Sequence, residues 1–375
     1  MMGRPGTMPG LVRVGVLGGG QLGRMLALAG IPLGMRFTFY DPSEHASAAH
    51  VGDLVVAGYD DTTALDRFCD LVDLVTYEFE NVPVQAAEYV ASKRPVWPPV
   101  ATLHIAQDRI REKECFRALG VPTAPFARVD TLVDLESAVT GIGLPGILKT
   151  RTMGYDGKGQ AIIRSRADIE QVWYTLGGVP LIYEGLVSFI RELSILSVRG
   201  RDGATVFYPL VENAHSEGIL RNSIAPAPGI NTATQKLAEE YATRLLQQLN
   251  YVGVLAIELF ETPEGLIANE MAPRVHNSGH WTIEAAETSQ FENHMRAICG
   301  LPLGCTAMLG VASMLNIIGM MPAVADVLAT SDTHLHLYGK AEAPRRKLGH
   351  ITVRSAQMET VRERITTLRR LLAAS

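Results

Sequence analysis

The chain has 375 residues, 47% hydrophobic and 19% charged, which is enough apolar chain to bury several cores and excludes intrinsic disorder. Its 34 basic and 39 acidic residues leave a net charge of −5, so nothing in the overall charge attracts nucleic acid or an anionic membrane. Thirty-five glycines and 20 prolines follow no period, and Cys69, Cys115, Cys299 and Cys305 show neither zinc spacing nor a disulfide framework, predicting reduced, mostly buried thiols.

The opening residues, MMGRPGTMPG, carry no apolar run of the kind a signal peptide needs. Leu11–Leu17 reads as a strand, Gly18–Gly23 as a turn and Arg24–Gly30 as a helix. Strands follow at Arg36–Tyr40 and around Leu71–Thr76, and this alternation predicts a parallel sheet flanked by helices. Ala106–Leu119, Thr131–Val139 and Ala167–Leu176 have helical pattern. With strands at Gly146–Thr150 and Leu181–Tyr183 they predict a small α+β lobe. Beyond Phe189 the pattern turns to long strands at Glu192–Val198, Thr205–Pro209 and Val252–Phe260, with an amphipathic helix at Ala233–Leu249. Between Arg296 and Asp326 no charge occurs, but Pro302, Gly304, Gly310, Asn316, Gly319 and Pro322 break the stretch. It predicts a buried strand at Ala312–Ile318 rather than a membrane helix. Glu359–Leu372 reads as a solvated basic terminal helix.

Four constellations could carry chemistry. Gly18, Gly20 and Gly23 form G-x-G-x-x-G between strand and helix, with Asp41 ending the second strand; alone, this pattern suits a dinucleotide, another phosphate or a merely tight turn. Lys149 is followed by the glycine loop Gly154-Tyr155-Asp156-Gly157-Lys158-Gly159-Gln160, which can fold over polyphosphate but lacks the Ser/Thr and frame of a Walker A loop. Glu258 and Glu270 are symmetric about residue 264, so a hairpin centred there sets the two carboxylates opposite one another on one face. Such a pair repels unless a hard cation bridges it, and carboxylates with a phosphate chain are the usual setting of Mg²⁺. Asn269, Arg274, His276, Asn277 and His280 crowd next to it. The densest basic stretch, Lys340 with Arg345-Arg346-Lys347, could grip a phosphate.

Together these residues resemble the ATP-grasp superfamily and, within it, the N5-carboxyaminoimidazole ribonucleotide synthetases. The resemblance is carried by Gly18–Met25, Thr76–Val82, Gln107–Arg109 with Glu112-Lys113, Gly154–Gln160, Arg191–Ser194, Asn269–Arg274, Tyr338–Lys340 and Arg346–His350. It implies an α/β and α+β architecture of three domains: an N-terminal Rossmann-like parallel sheet (1–105), a small central α+β lid (106–188) and a C-terminal antiparallel-sheet domain (189–375). It implies ATP as co-substrate, contacted by Arg109, Lys149, Gly154, Tyr155, Asp156, Gly157, Lys158, Gly159 and Gln160. The adenine hinge would be Glu184, Gly185, Leu186 and Val187. Glu192, His215, Asn269 and Glu270 would complete the nucleotide site, and Mg²⁺ (or Mn²⁺) would sit on Glu258 and Glu270.

By the same resemblance the first glycine loop holds no NAD. Gln21, Leu22 and Glu78 would belong to the aminoimidazole ribonucleotide site, and Lys340, Arg346 and Lys347 would grip its phosphate. Arg274, His276 and Asn277 would face bicarbonate and the reacting amine, with Asp156 and His276 as candidates for its proton. The implied reaction is ATP-dependent carboxylation of 5-aminoimidazole ribonucleotide by bicarbonate, through carboxyphosphate, in de novo purine synthesis. A cytoplasmic homodimer feeding a separate mutase, with no nucleic-acid or membrane partner, is the accompanying expectation. The sequence departs from the family pattern at Thr152, where the loop usually carries Arg, and at Ala343-Pro-Arg-Arg-Lys347, where Arg345 would replace one phosphate contact. The competing readings are another purine ligase of the superfamily, such as a formate-dependent glycinamide ribonucleotide transformylase, and an NAD-dependent dehydrogenase.

Overall fold

A computed structural model of the chain describes residues 12–154 and 159–374. Three sheets organise it. The first is parallel, with β1 (Arg13–Leu17), β2 (Arg36–Asp41), β3 (Asp53–Val56) and β4 (Leu74–Tyr77) in the order β3-β2-β1-β4. The second is antiparallel, with β5 (Phe126–Val129), β6 (Gly146–Thr150), β7 (Gln160–Ile163) and β8 (Leu181–Gly185) in the order β5-β8-β6-β7. The third contains β9 (Arg191–Arg199), β10 (Thr205–Phe207), β11 (Val211–Ser216), β12 (Ile219–Ala225), β13 (Gly253–Thr262), β14 (Gly265–Ala272), β15 (Val311–Ile318), β16 (Thr333–Leu337) and β17 (Lys347–Ser355). Its main order is β14-β13-β9-β11-β12-β15-β17-β16, and β10 pairs with β9.

Local chemistry sets the helices that matter for the cleft. Asp108 caps helix Arg109–Ala118 by accepting from the Ile110 and Arg111 amides, so the helix read over Ala106–Leu119 starts at Arg109, and a separate helix, Val100–Ala106, precedes it. Thr131 and Asp134 form a reciprocal capping box that starts helix Leu132–Ile142. Helix Gln290–Cys299 lies against helix Gln21–Gly30, and one apolar core runs from Val14, Leu26 and Phe39 through Met295 to Leu196 and Val254. Buried His294 fastens this seam, its ring meeting the Thr76 hydroxyl at 3.0 Å and accepting the Val254 amide at 3.1 Å.

Four expectations change. The third strand of the first sheet starts at Leu74 rather than Leu71, and a further edge strand, β3, precedes it. Strands β11 and β12 occupy a segment with no apolar alternation, because Asn213 and Ser223 on one face and Asn222 on the other are polar, buried and hydrogen-bonded. The terminal helix, Met358–Ala374, is not solvated all round: Val361, Ile365 and Leu368 bury a stripe against Leu315, Ile317, Ile351 and Val353. The cysteines are unpaired, but only Cys69 is buried and Cys305 is exposed. Among the described residues no helix is long and apolar enough to cross a membrane.

Candidate active site

A cleft of about 840 Å³ lies between the β5–β8 sheet and the nine-stranded sheet, and its far end reaches the first turn of helix Gln21–Gly30. At its centre the β13–β14 hairpin sets Glu258 opposite Glu270. The predicted pairing is right, but its path is not a simple hairpin centred on residue 264. The pairs run in step from Thr262–Gly265 to Leu259–Ala268, and then Asn269 is looped out as a β-bulge. Ile257 and Leu259 point to the opposite, apolar side.

Burial and the neighbouring Glu270 raise the Glu258 carboxyl above its ordinary value. Burial acts on Glu270 too, but Arg109, whose Nη1 lies 3.0 Å from Oε2, outweighs it and keeps that carboxyl ionised. His276 Nε2 is 3.5 Å from Glu258. Two facing carboxylates in a half-buried setting are a donor set for a hard divalent cation, with nucleotide phosphates completing its oxygen shell. No cluster of three or more acid, His or Cys groups with metal spacing occurs among the described residues.

At the nucleotide end, Lys113 and Lys149 flank buried Glu184 at 3.1 and 3.2 Å. Burial opposes ionisation of Glu184, but the Lys149 and Lys113 charges prevail and hold it down at about 2. Burial lowers Lys149 itself despite that partner. The chain then runs along the cleft wall through Gly185, Leu186 and Val187, with the Gly185 and Leu186 amides anchored on Pro125 O (2.9 Å) and Pro145 O (3.1 Å). Phe189 and Phe260 stack beside it, centroids 4.7 Å apart. Glu192 pairs with His215 within the same wall, and the Glu192 hydrogen bond raises the imidazole against the effect of burial. Gly154, Gln160 and Asn269 line the cleft, while Gly159 bends back at φ +68° to give its carbonyl to the Thr150 amide. Tyr155, Asp156, Gly157 and Lys158 lie outside the described residues.

At the other end, Arg274 pairs with Glu80. Burial opposes ionisation of Glu80, and the Arg274 charge and hydrogen bond overcome it, setting the carboxyl at about 2. Burial, then Arg274, drives the His276 imidazole down to about 3, leaving it neutral, with Nδ1 2.8 Å from the Ser278 hydroxyl. Asn277 faces the cleft with both amide atoms buried and without a hydrogen-bond partner, although buried polar atoms seldom stay so. Gln21, Leu22, Tyr338 and Lys347 close this end, and Lys340 Nζ donates to Gln21 Oε1 at 2.5 Å. Arg346 is exposed and donates to Ala341 O. Arg345, expected to supply a phosphate contact, instead pairs with Glu217 at 3.2 Å.

Glu78 sits behind this wall rather than in it. Its two oxygens accept the Gly20 and Gly23 amides at 2.6 and 2.8 Å, and Asp41 accepts the Gly19 amide at 2.8 Å. A Cβ at Gly20 would meet Glu78 Oε1 at 2.4 Å, so any side chain there would push the Glu78 carboxylate off the turn. The amides that would cradle a dinucleotide pyrophosphate already have acceptors, which removes the physical basis for the dehydrogenase reading.

Sequence reasoning missed Glu80 and Lys113 as site residues, although both lie in stretches quoted for the resemblance. Lys113 reads as the polar face of an ordinary helix, and only the fold carries it to Glu184.

Family models match the ribonucleotide synthetase preATP-grasp domain over residues 11–107, the ATP-grasp domain over 114–291 and the phosphoribosylaminoimidazole carboxylase C-terminal domain over 312–364. The chain is 53% identical over 363 residues to an N5-carboxyaminoimidazole ribonucleotide synthase of Pseudomonas aeruginosa, covering 97% of this chain and 100% of the relative. The crystal structure of the N5-carboxyaminoimidazole ribonucleotide synthetase from Thermus thermophilus superposes with a TM-score of 0.92 at 56% identity, covering 96% and 98% of the two chains. The Aspergillus clavatus enzyme in complex with ADP and 5-aminoimidazole ribonucleotide superposes with a TM-score of 0.91 at 31% identity, covering 98% and 100%. With the match running nearly end to end and through every wall of the cleft, the chain belongs to the N5-carboxyaminoimidazole ribonucleotide synthase family of ATP-grasp ligases.

Proposed function

We propose that the chain carboxylates 5-aminoimidazole ribonucleotide with bicarbonate at the expense of ATP, giving N5-carboxyaminoimidazole ribonucleotide, ADP and phosphate in purine biosynthesis. The observation that carries this reading is a single cleft with two chemically different ends. One has lysines and a facing carboxylate pair, and the other has Arg274, neutral His276 and the unpartnered amide of Asn277. The Aspergillus clavatus relative, whose complex contains both ADP and the ribonucleotide, supports the same division.

In this reading bicarbonate oxygen attacks the γ-phosphorus, ADP leaves, and the ribonucleotide amine attacks the resulting carboxyphosphate or the CO₂ released from it. Glu258 and Glu270 would hold Mg²⁺, which would supply positive charge to neutralise the transferring phosphoryl group. Lys149 and Arg109 point cationic groups at the same region. The Gly185–Val187 backbone and the Phe189–Phe260 stack hold the base, and Glu192 with His215 hold the ribose. Asn277 and Arg274 orient the carboxylate carrier, since an amide and a guanidinium match planar oxyanions. His276 and Asp156 are the candidates for receiving the amine proton. Gln21, Leu22 and Lys347, with Lys340 and Arg346 nearby, form the ribonucleotide end, and Glu78 shapes it by fixing the turn that carries Gln21. A cytoplasmic homodimer that passes its product to a separate mutase completes the reading.

The test is phosphate release from Mg·ATP with and without the ribonucleotide, at low and high bicarbonate. We expect release to rise with both co-substrates together. Stimulation by glycinamide ribonucleotide with formate, and none by aminoimidazole ribonucleotide, would move the substrate while keeping the ATP site.

A further inference from the structure

The register that sets Glu258 opposite Glu270 is not the one the turn would propagate. Continued in step from Leu259–Ala268, the ladder would oppose Glu258 with Asn269 and Ile257 with Glu270, turning the second carboxylate to the apolar face. The bulge at Asn269 prevents this, and a bulge leaves backbone groups that the ladder cannot satisfy.

On either side of the bulge the outer edge of β14, the end strand of its sheet, has dedicated partners on one helix. Lys113 Nζ donates to the Asn269 carbonyl at 2.8 Å, and Glu112 Oε1 accepts the Met271 amide at 2.6 Å. Both side chains are essentially sealed from solvent, at 2% and 1% exposure for residues 112 and 113. Just before the bulge, the Ala268 amide goes to Pro122 O at 2.8 Å, so the clamped stretch begins where the in-step pairing ends. Lys113 also reaches Glu184 on β8, which ties the bulge to the strand leading into the adenine-side wall.

We infer that Glu112 and Lys113 are positioning residues that hold the Asn269 bulge and thereby turn Glu270 toward Glu258. Glu112 borders the cleft and Lys113 lies behind its wall, and both act through the strand that carries Glu270. Their effect is to fix the carboxylate spacing on which the divalent cation depends, so the inference rests on the proposed metal role of Glu258 and Glu270. Groups that orient metal ligands at one remove commonly change metal affinity about 10- to 100-fold when lost.

The probe is Mn²⁺ bound to the ADP-saturated full chain, followed by electron paramagnetic resonance, with Glu112→Ala compared against Glu112→Gln. Gln keeps a carbonyl that can accept the Met271 amide, and Ala does not. We expect Glu112→Ala to weaken Mn²⁺ binding about tenfold or more and Glu112→Gln to restore it. Lys113→Met against Lys113→Arg is read in the same way. Equal Mn²⁺ affinity in Glu112→Ala and wild type, while Glu258→Gln abolishes binding, would overturn the clamp and leave the metal site standing. Unchanged binding in Glu258→Gln would overturn the metal reading itself. Should the truncated variants not fold, hydrogen exchange on the wild-type chain decides. A Met271 amide protected like the core strands supports the clamp, and one exchanging at a loop rate overturns it.

Discussion

Glu184 shows how strongly one side chain of the cleft depends on its neighbours. It is 3% exposed, with two ammonium groups within 3.2 Å, and its carboxyl is held at about 2 against an ordinary 4.5. A carboxyl depressed by folding contributes stability that is complete above pH 4.5 and is lost as pH falls toward 2. Glu184→Gln leaves Lys113 and Lys149 buried without a counter-charge, a loss of roughly 3–5 kcal/mol at neutral pH. Urea unfolding across the acid range is expected to show the variant much weaker than wild type at pH 7 and the gap narrowing below pH 4.5. A gap independent of pH would mean that the pair contributes packing rather than charge. Neither lysine's partner could be foreseen from composition: Lys149 and Glu184 meet because β6 and β8 are neighbours, and Lys113 arrives on a helix from outside their sheet.

At the scale of elements, the terminal helix is a working part of the third sheet. Leu368 is fully buried between β15 and β17, so Leu368→Ala is expected to cost about 2–5 kcal/mol in denaturant unfolding, where a solvated helix would lose almost nothing. Its apolar residues at 361, 365 and 368 were visible in the sequence, but its many arginines dominated the reading. The strands with clean apolar patterning, such as Gly146–Thr150 and Val311–Ile318, were legible because one or both faces meet hydrophobic neighbours. β11 and β12 were not, since polar side chains are buried on both of their faces and satisfy one another across strands. The carboxylate hairpin falls between these cases. Its strands and its facing pair could be read from spacing, whereas the bulge that makes the pairing possible is held by residues more than 150 positions away.

For the whole molecule, the relevant fact is that the cleft has no wall of its own. It is assembled from three sheets, and the first shares a continuous apolar core with the third through His294 and helix Gln290–Cys299. A ligand that bridges the β5–β8 sheet to the rest must therefore stabilise more than its contact surface. Saturating Mg·ADP at about 100 times its dissociation constant is expected to add about 2.7 kcal/mol to unfolding, seen as a rise in Tm. No rise would mean that nucleotide does not bind the folded chain in preference to the unfolded one. The order of the sheets along the chain was legible, because a change from strand–helix alternation to hairpins marks the passage between them. The shared core was not, because nothing in one segment's pattern tells which distant segment will cover it. The glycine turn after β1 makes the same point in electrical terms. A helix start is a receptor for negative charge, and here the protein has filled that receptor with its own Glu78 and Asp41. A self-neutralised helix end exerts little pull on a phosphate. An anionic ligand at that end of the cleft must therefore find its counter-charge on side chains such as Lys340 and Lys347, which makes its capture sensitive to ionic strength in a way that a backbone cradle would not be.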